Sequence, residues 1–443
     1  MLTAGMAKRD ISPKQGEALA GYPHYPRYNT GVHDPLYACC MYLNNGTTEI
    51  VMVTLDLLFF SKKYVKIVRN RVNERCGICG KNIMISCSHT HSGPWASGML
   101  DIESLEAEST ASTEYTSFLV RQIVDVICEA KARAVSAEFG YGVDVCGAES
   151  GIGGNRRFPG GPHDPLVSVM AIRISDGEVL GAIVNYTLHP TFIHEWSTVV
   201  TADYPCYLKL LLNEKWPNAH FGFAQGCSGN QSSRYYRCGE SYDEAERVGR
   251  KLGAVAAGII ERMRWKSEIE LKSVSDEIEI TLRTFCSEED LVKQVEIDTK
   301  RYQEMYTKYG KSEKREEYYL WQNANLKMLG SEDQLGYVRL MNRGVKIELL
   351  EDEAPAEYQL FKIGDVCVIG CPGEIFVEYG LYMKAMAGFG TIIVNELTNG
   401  CLPGYLYTPE SLVTGGYETD TSMLDNTFGR HMMDTVLELA QKL

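Results

Sequence analysis

The sequence predicts an α/β fold: a single large domain with a mixed β-sheet core flanked by helices. Three observations carry that reading. Short apolar runs bounded by turn residues alternate with longer stretches of helical spacing. Hydrophobic residues make up 44% and charged residues 23% of the 443, the balance of a globule able to bury a large core. No repeat period or low-complexity linker breaks the chain, which favours one domain over several.

Taken in order, apolar runs mark strands at 50–55, 82–87, 167–174, 180–186, 221–224, 358–363, 366–369 and 391–395. Helical spacing marks 62–75, 114–132, 204–214, 243–263, 374–386 and 428–442. Between 288 and 329 the chain turns polar, rich in Lys, Glu and Tyr, yet keeps helical spacing. It is expected to be a helical insertion, either a solvated surface hairpin or a lid on the pocket. Cys76-Gly-Ile-Cys79 is the one C-x-x-C. Lacking the second pair of a structural zinc site, it reads as a turn that closes a helix.

Subtracting 58 acidic from 44 basic residues leaves a net charge of -14, and no Lys/Arg run tracks a phosphate backbone. Nucleic acid is excluded as the main partner on that ground, in favour of a small molecule. The first ten residues lack the apolar core of a signal peptide, and the most apolar stretch, 50–60, contains Asp56. The expectation is a cytoplasmic protein, not inserted in a membrane, whose fourteen scattered cysteines are reduced thiols. The oligomeric state has no signal in the sequence.

Chemistry gathers where apolar runs end in polar residues. Ser86-Cys-Ser-His89-Thr-His91-Ser-Gly-Pro94 follows a strand, and its two histidines at i and i+2 project from one face of extended backbone. His-x-His is a common way to offer imidazoles to a metal. A second strand ends at His189-Pro190, followed by Asp203-Tyr-Pro205 at a helix start. Glu374, after Cys371-Pro-Gly373, reads either as a first-turn acid favoured by the helix dipole or as a carboxylate aimed at a cation. The Gly/Pro-rich stretches 395–409 and 415–418 form long loops of the kind that carry function.

Together Asp10-Ile-Ser-Pro13, Gly31-Val-His-Asp-Pro-Leu-Tyr37, His89-Thr-His91-Ser-Gly-Pro94, Asn155-Arg156, His189-Pro190, Asp203-Tyr-Pro205, Gly226-Cys-Ser-Gly-Asn230-Gln-Ser232 and Pro372-Gly-Glu374 resemble the catalytic domain of neutral ceramidases, in order along nearly the whole chain. The resemblance implies a zinc site of His89, His189, Glu374 and Tyr405. It makes Tyr417 a second active-site tyrosine that hydrogen-bonds the developing oxyanion, and His91 and Arg156 substrate-positioning residues. Ser232 falls on the serine of the family's Gly-Asp-x-Ser-Pro motif, which here reads Gly229-Asn-Gln-Ser-Ser233. With the Asp and the Pro replaced, Ser228 or Ser233 is also open to that role.

The implied activity is zinc-dependent hydrolysis of a C-N amide bond in an N-acyl substrate. Zinc lowers the pKa of bound water from about 15.7 to about 7 and so supplies hydroxide near neutral pH. That route is preferred over attack by Ser232. The same site would also serve an esterase, lactonase or phosphoesterase, and a non-catalytic binding protein could keep the zinc as a brace. Ceramidases continue into a C-terminal immunoglobulin-like domain, which this chain is expected to lack, and no amphipathic basic helix suits a lipid surface. A smaller soluble amide is therefore expected as substrate alongside ceramide.

Overall fold

The computed structural model describes residues 1–96, 112–312, 314–344, 348–386 and 388–443. Two sheets lie face to face between outer helices. The larger is ordered His220–Gln225, Val179–Tyr186, Leu166–Ile174, Val135–Val145, Thr3–Asp10, Tyr37–Asn44, Glu49–Leu55, Ile83–Cys87. The smaller is ordered Leu271–Ile278, Ala356–Ile363, Val366–Gly370, Thr391–Asn395. Both mix parallel and antiparallel pairs, as the sequence predicts.

Alternation along the strands sends apolar side chains to both faces of each sheet, so each must be covered twice. Met41, Met84, Phe139 and Ile183 of the large sheet meet Phe361, Val368 and Ile393 of the small one. The outer face of the large sheet is covered at one end by Lys62–Cys76 and Thr113–Ala132, and at the other by Tyr204–Lys215 and Tyr242–Glu261. Phe428–Gln441 covers the outer face of the small sheet. Fully burying each such aliphatic or aromatic side chain is worth about 1.5–3 kcal/mol.

All eight expected strands are present within two residues of the expected bounds. Thr3–Asp10, Tyr37–Asn44, Val135–Val145 and Leu271–Ile278 are further strands that the reading missed. Each carries Ala, Gly, Asp, Asn, Glu or Lys, residues depleted in strands, which the sheet's neighbours hold extended. Gly140, for instance, sits where a Cβ would come 2.5 Å from Met263 Cγ, so the segment that follows the covering helix needs its bare backbone.

Two elements differ from expectation in ways that matter for the site. Glu374 does not open a helix: Glu374–Ile375 is extended and pairs in parallel with Tyr405–Leu406, and the helix starts at Val377. Cys371-Pro-Gly instead bends the chain into this short strand, with Gly373 at φ 104°, a conformation open to glycine. The polar stretch forms two helices, Glu288–Tyr309 and Arg315–Asn342, thirteen residues longer than expected. Gly77 is the left-handed cap of Lys62–Cys76, which gives the C-x-x-C its turn. Among the described residues no helix is long and apolar enough to cross a membrane.

Candidate metal centre

Ile83–Cys87, Val179–Tyr186 and Thr391–Asn395 each run parallel to a neighbour, and the residues that follow them carry the polar chemistry. Ligand sites in α/β sheets gather beyond the carboxyl ends of strands for this reason. Beyond Cys87 the chain turns at His89, whose φ of 68° is rare for a residue with a side chain. Two bonds hold the turn: Ser88 N donates to Leu55 O and His89 N to Leu57 O, both at 2.8 Å.

The imidazoles converge. His89 Nε2 lies 3.1 Å from His189 Nε2 and 3.4 Å from His91 Nε2. Glu374 Oε2 lies 3.1 Å from His189 Nε2 and 3.2 Å from His89 Nε2. The opposite nitrogen of each ring faces a backbone carbonyl: Leu58 for His89 at 3.4 Å, Gly21 for His91 at 2.8 Å, Ser228 for His189 at 2.7 Å. A carbonyl only accepts, so each Nδ1 carries the proton and each Nε2 presents a lone pair. Three lone pairs and a carboxylate oxygen then crowd one point with no proton to share. A cation resolves that repulsion, and imidazoles oriented by carbonyls are how proteins hold one.

Electrostatics agree with neutral rings at His91 and His189. Burial, then Arg156 and His89, push the His189 imidazole down to about 3. Burial followed by its two histidine neighbours lowers His91 well below its ordinary value.

Other parts of the chain fix these groups. Gly21 has φ 101°, and a Cβ there would sit 2.6 Å from His91, so only glycine brings this carbonyl to the ring. Asp203 accepts from Phe192 N and Ile193 N at 2.9 and 3.0 Å and caps Tyr204–Lys215, bracing the loop after His189. Glu396, fully buried, receives Ser228 Oγ–H on one oxygen and Ile375 N–H on the other, the latter at 2.8 Å. It thereby ties the carbonyl that orients His189 to the strand that carries Glu374. The sequence reading missed Glu396, although a glutamate directly after an apolar strand repeats the signal that drew attention to His89.

Tyr405 pairs in register with Glu374, and its ring lies 5.3 Å from the Arg156 guanidinium carbon and 6.2 Å from the Tyr417 ring. Burial, then Glu374, lifts its phenol well above the ordinary value, and burial with Asp333 does the same for Tyr417. Arg156 Nε donates to Glu418 Oε1 at 2.7 Å, while its buried Nη2 has no hydrogen-bond partner among the described residues. Ser232, on a two-residue strand paired with Gly154–Asn155, accepts from Arg234 N at 3.2 Å. Among the described residues no imidazole or carboxylate hydrogen-bonds Ser232 Oγ. Asn230 accepts from Val377 N at 2.9 Å and donates to Glu378 at 2.8 Å, so an aspartate there would face Glu378 with like charge.

A cavity of about 450 Å³ opens over this cluster. It takes in His89, His91, Arg156, Glu374, Tyr405 and Tyr417, with Ser232 on its edge, and the two helices of the polar stretch form its outer wall. His189 and Glu396 lie beneath. Of the residues that the resemblance implies, His89, His91, Arg156, Ser232, Glu374, Tyr405 and Tyr417 line this cavity, and His189 meets His89 and Glu374 beside it, whereas Ser228 and Ser233 are not on its lining; His91 stands with the imidazoles, where it has the geometry of a ligand as well as of a group facing substrate.

These features define an α/β protein with a metal-type cluster at strand ends under an aromatic cavity. Its relatives are neutral ceramidases. The neutral ceramidase of Pseudomonas aeruginosa is 23% identical over 223 residues, 45% of this chain and 32% of that protein. The match therefore spans about a third of the relative's length. The crystal structure of neutral ceramidase from Pseudomonas aeruginosa superposes with a TM-score of 0.73 at 18% identity, covering 100% of this chain and 75% of the other. A ceramidase complexed with C2 gives 0.73 at 17%, covering 100% and 76%. No protein-family model matches the chain. The resemblance read from the motifs stands, and the chain shares the neutral ceramidase fold.

Proposed function

We propose that the protein is a metal-dependent hydrolase of C-N amide bonds in N-acyl substrates, with zinc as its metal. The observation that carries this is the convergence of three imidazole Nε2 atoms and a carboxylate oxygen on one point at the floor of a cavity. Nitrogen and oxygen donors of this kind suit zinc. His89, His189 and Glu374 would hold it, with Tyr405 or His91 as the fourth ligand. Bound there, zinc would supply Lewis acidity and an activated water.

The chain's own residues supply the rest. Tyr417 keeps its proton and so has a hydroxyl to donate to an oxygen that gains negative charge. Arg156 has a free N–H for the same purpose or for substrate positioning, and Glu418 fixes its plane. The cavity argues against a purely structural metal, since a brace has no use for an open face. Its volume falls within the roughly 300–1,000 Å³ of small-molecule pockets, which suits a small soluble amide. The relatives' name puts ceramide beside it as a substrate to try.

The test is elemental analysis of untagged protein, followed by a panel of amides, esters, lactones and phosphoesters sharing one acyl group. About one zinc per chain and hydrolysis of amides ahead of the rest are expected. Less than about 0.2 metal per chain, with no activity on adding zinc, ends the proposal.

A further inference from the structure

Two thiols meet where the outer helices Lys62–Cys76 and Thr113–Ala132 pack over the large sheet. Cys128 Sγ–H donates to Cys76 Sγ at 3.3 Å, and Cys76 Sγ–H donates in turn to Val72 O at 3.3 Å. Both residues are half-buried free cysteines, each with part of its surface in water, and neither lines the cavity. A disulfide measures about 2.05 Å between sulfurs, so closing one here asks each sulfur to travel about 0.6 Å.

Contacts on both sides keep the thiols together. Arg75, next to Cys76 in sequence, donates to Asp125 on the facing helix. Lys131 reaches back from that helix, with Nζ 3.0 Å from Cys76 O and 2.8 Å from Glu49 Oε2. Asp125 and Lys131 lie about one helical turn to either side of Cys128, so the two bridges bracket the sulfurs. Burial, followed by the bond to Cys76, pushes the Cys128 thiol up to about 12, so it keeps its proton near neutral pH and Cys76 is left as the nucleophile. Cys79 is exposed and close in sequence, but Gly77 turns the chain at φ 74° and the Cys76 sulfur faces Val72 and Cys128 instead.

We infer that Cys76 and Cys128 are a modification site, a thiol pair that a peroxide converts into a reversible disulfide clip between the two helices. Cys76 sulfur attacks one peroxide oxygen, the O–O bond breaks, and the products are Cys76 sulfenic acid and water. Cys128 sulfur then displaces the hydroxyl group, which leaves as a second water with the Cys128 proton. The two sulfurs together lose two electrons and the peroxide gains them. The clip closes the chain from 76 to 128 into a covalent loop that contains Ile83–Cys87, His89 and His91. It thus fastens the segment that carries two of the three imidazoles, chiefly by restricting the unfolded chain.

The test uses the full chain as purified, reduced with dithiothreitol, freed of it and treated with a small excess of hydrogen peroxide. Remaining thiols are alkylated, and digestion without reductant followed by mass spectrometry locates any bridge. A Cys76–Cys128 bridge is expected, with the other cysteines still alkylated and full reversal by dithiothreitol. The midpoint of thermal unfolding should rise by about 2–4 °C on oxidation and return on reduction. Metal content measured before and after shows that the shift does not come from metal gained or lost. Cys128→Ser should give neither bridge nor shift, its Cys76 passing instead to sulfinic acid. Cys79→Ser should form the bridge within about twofold of the parent's rate.

A bridge from Cys76 to Cys79, or to Cys40 in the core beneath, overturns the clip. So does a bridge that forms only in denaturant, or oxidation of Cys76 to sulfinic acid in the parent with no bridge at all. A Cys76–Cys128 bridge that leaves the midpoint unchanged or lowers it overturns the bracing role. Mapping on the parent decides the pairing even where a serine variant fails to fold.

Discussion

The floor of the cavity and its outer wall are built by opposite means. On the floor, His89 and His189 are buried at the ends of sheet strands, and each imidazole is oriented by a carbonyl from a different part of the chain. The wall is a pair of helices in which Glu288–Tyr309 buries only Leu291 and Asp298. Side chains hold it to the body: Lys327 to Asp420 at 2.7 Å, Tyr337 to Thr421 O at 3.3 Å, Arg315 and Tyr319 to the Arg234 segment. An ion pair as open as Lys327–Asp420 is worth about 0–1 kcal/mol. The difference teaches where precision is needed. Reacting groups are set by the core, whereas the surface that selects a substrate can vary without disturbing them.

The largest effect should come from the floor. His189→Ala or Glu374→Gln should leave less than about 0.2 metal per chain and lower amide hydrolysis by more than about 10³-fold. Melting curves check that the fold survives. A variant within about tenfold of the parent would break the assignment of the floor as the reacting site.

Glu396 sharpens the same contrast from beneath. Removing a group that orients a metal ligand costs typically about 10- to 100-fold in metal affinity. Glu396→Ala should show this in competition with a chelator, because Ser228 and Ile375 both lose their acceptor. Unchanged affinity would mean that the floor is held by its backbone alone.

The wall should respond differently. Replacing 288–342 by a short Gly/Ser loop should keep the bound metal and raise KM by about tenfold, with a smaller change in kcat. If turnover and substrate preference stay within about twofold, the hairpin is a solvated surface element and no part of the pocket.

How much of this the sequence shows follows the same division. The strands and their polar ends were legible, because a buried strand is a continuous apolar run and His89, His189 and Glu374 break it abruptly. The extended backbone at Glu374 was not, since an acid near a helix start looks the same whether or not a parallel bridge to Tyr405 intervenes. Periodicity alone says that 288–342 is helical. Which face meets a cavity depends on contacts with Arg234, Asp420 and Thr421, far away in sequence, and no local pattern encodes them.

The smallest effect concerns Ser232, which sits between floor and wall. A nucleophilic serine needs a base within about 2.6 to 3.2 Å, and among the described residues its Oγ receives only the Arg234 amide. The Asn230 that precedes it is committed to Val377 and Glu378, so it supplies no general base either. Loss of the hydroxyl should loosen the turn that presents Arg234 without removing a reacting group. Ser232→Ala is therefore expected to lose roughly tenfold in kcat/KM and to retain its metal. An acyl-serine mechanism predicts instead a collapse as large as that of His189→Ala, and an acyl adduct on Ser232 in the parent after a rapid quench. That adduct, seen by mass spectrometry, would move the chemistry from the floor to the serine.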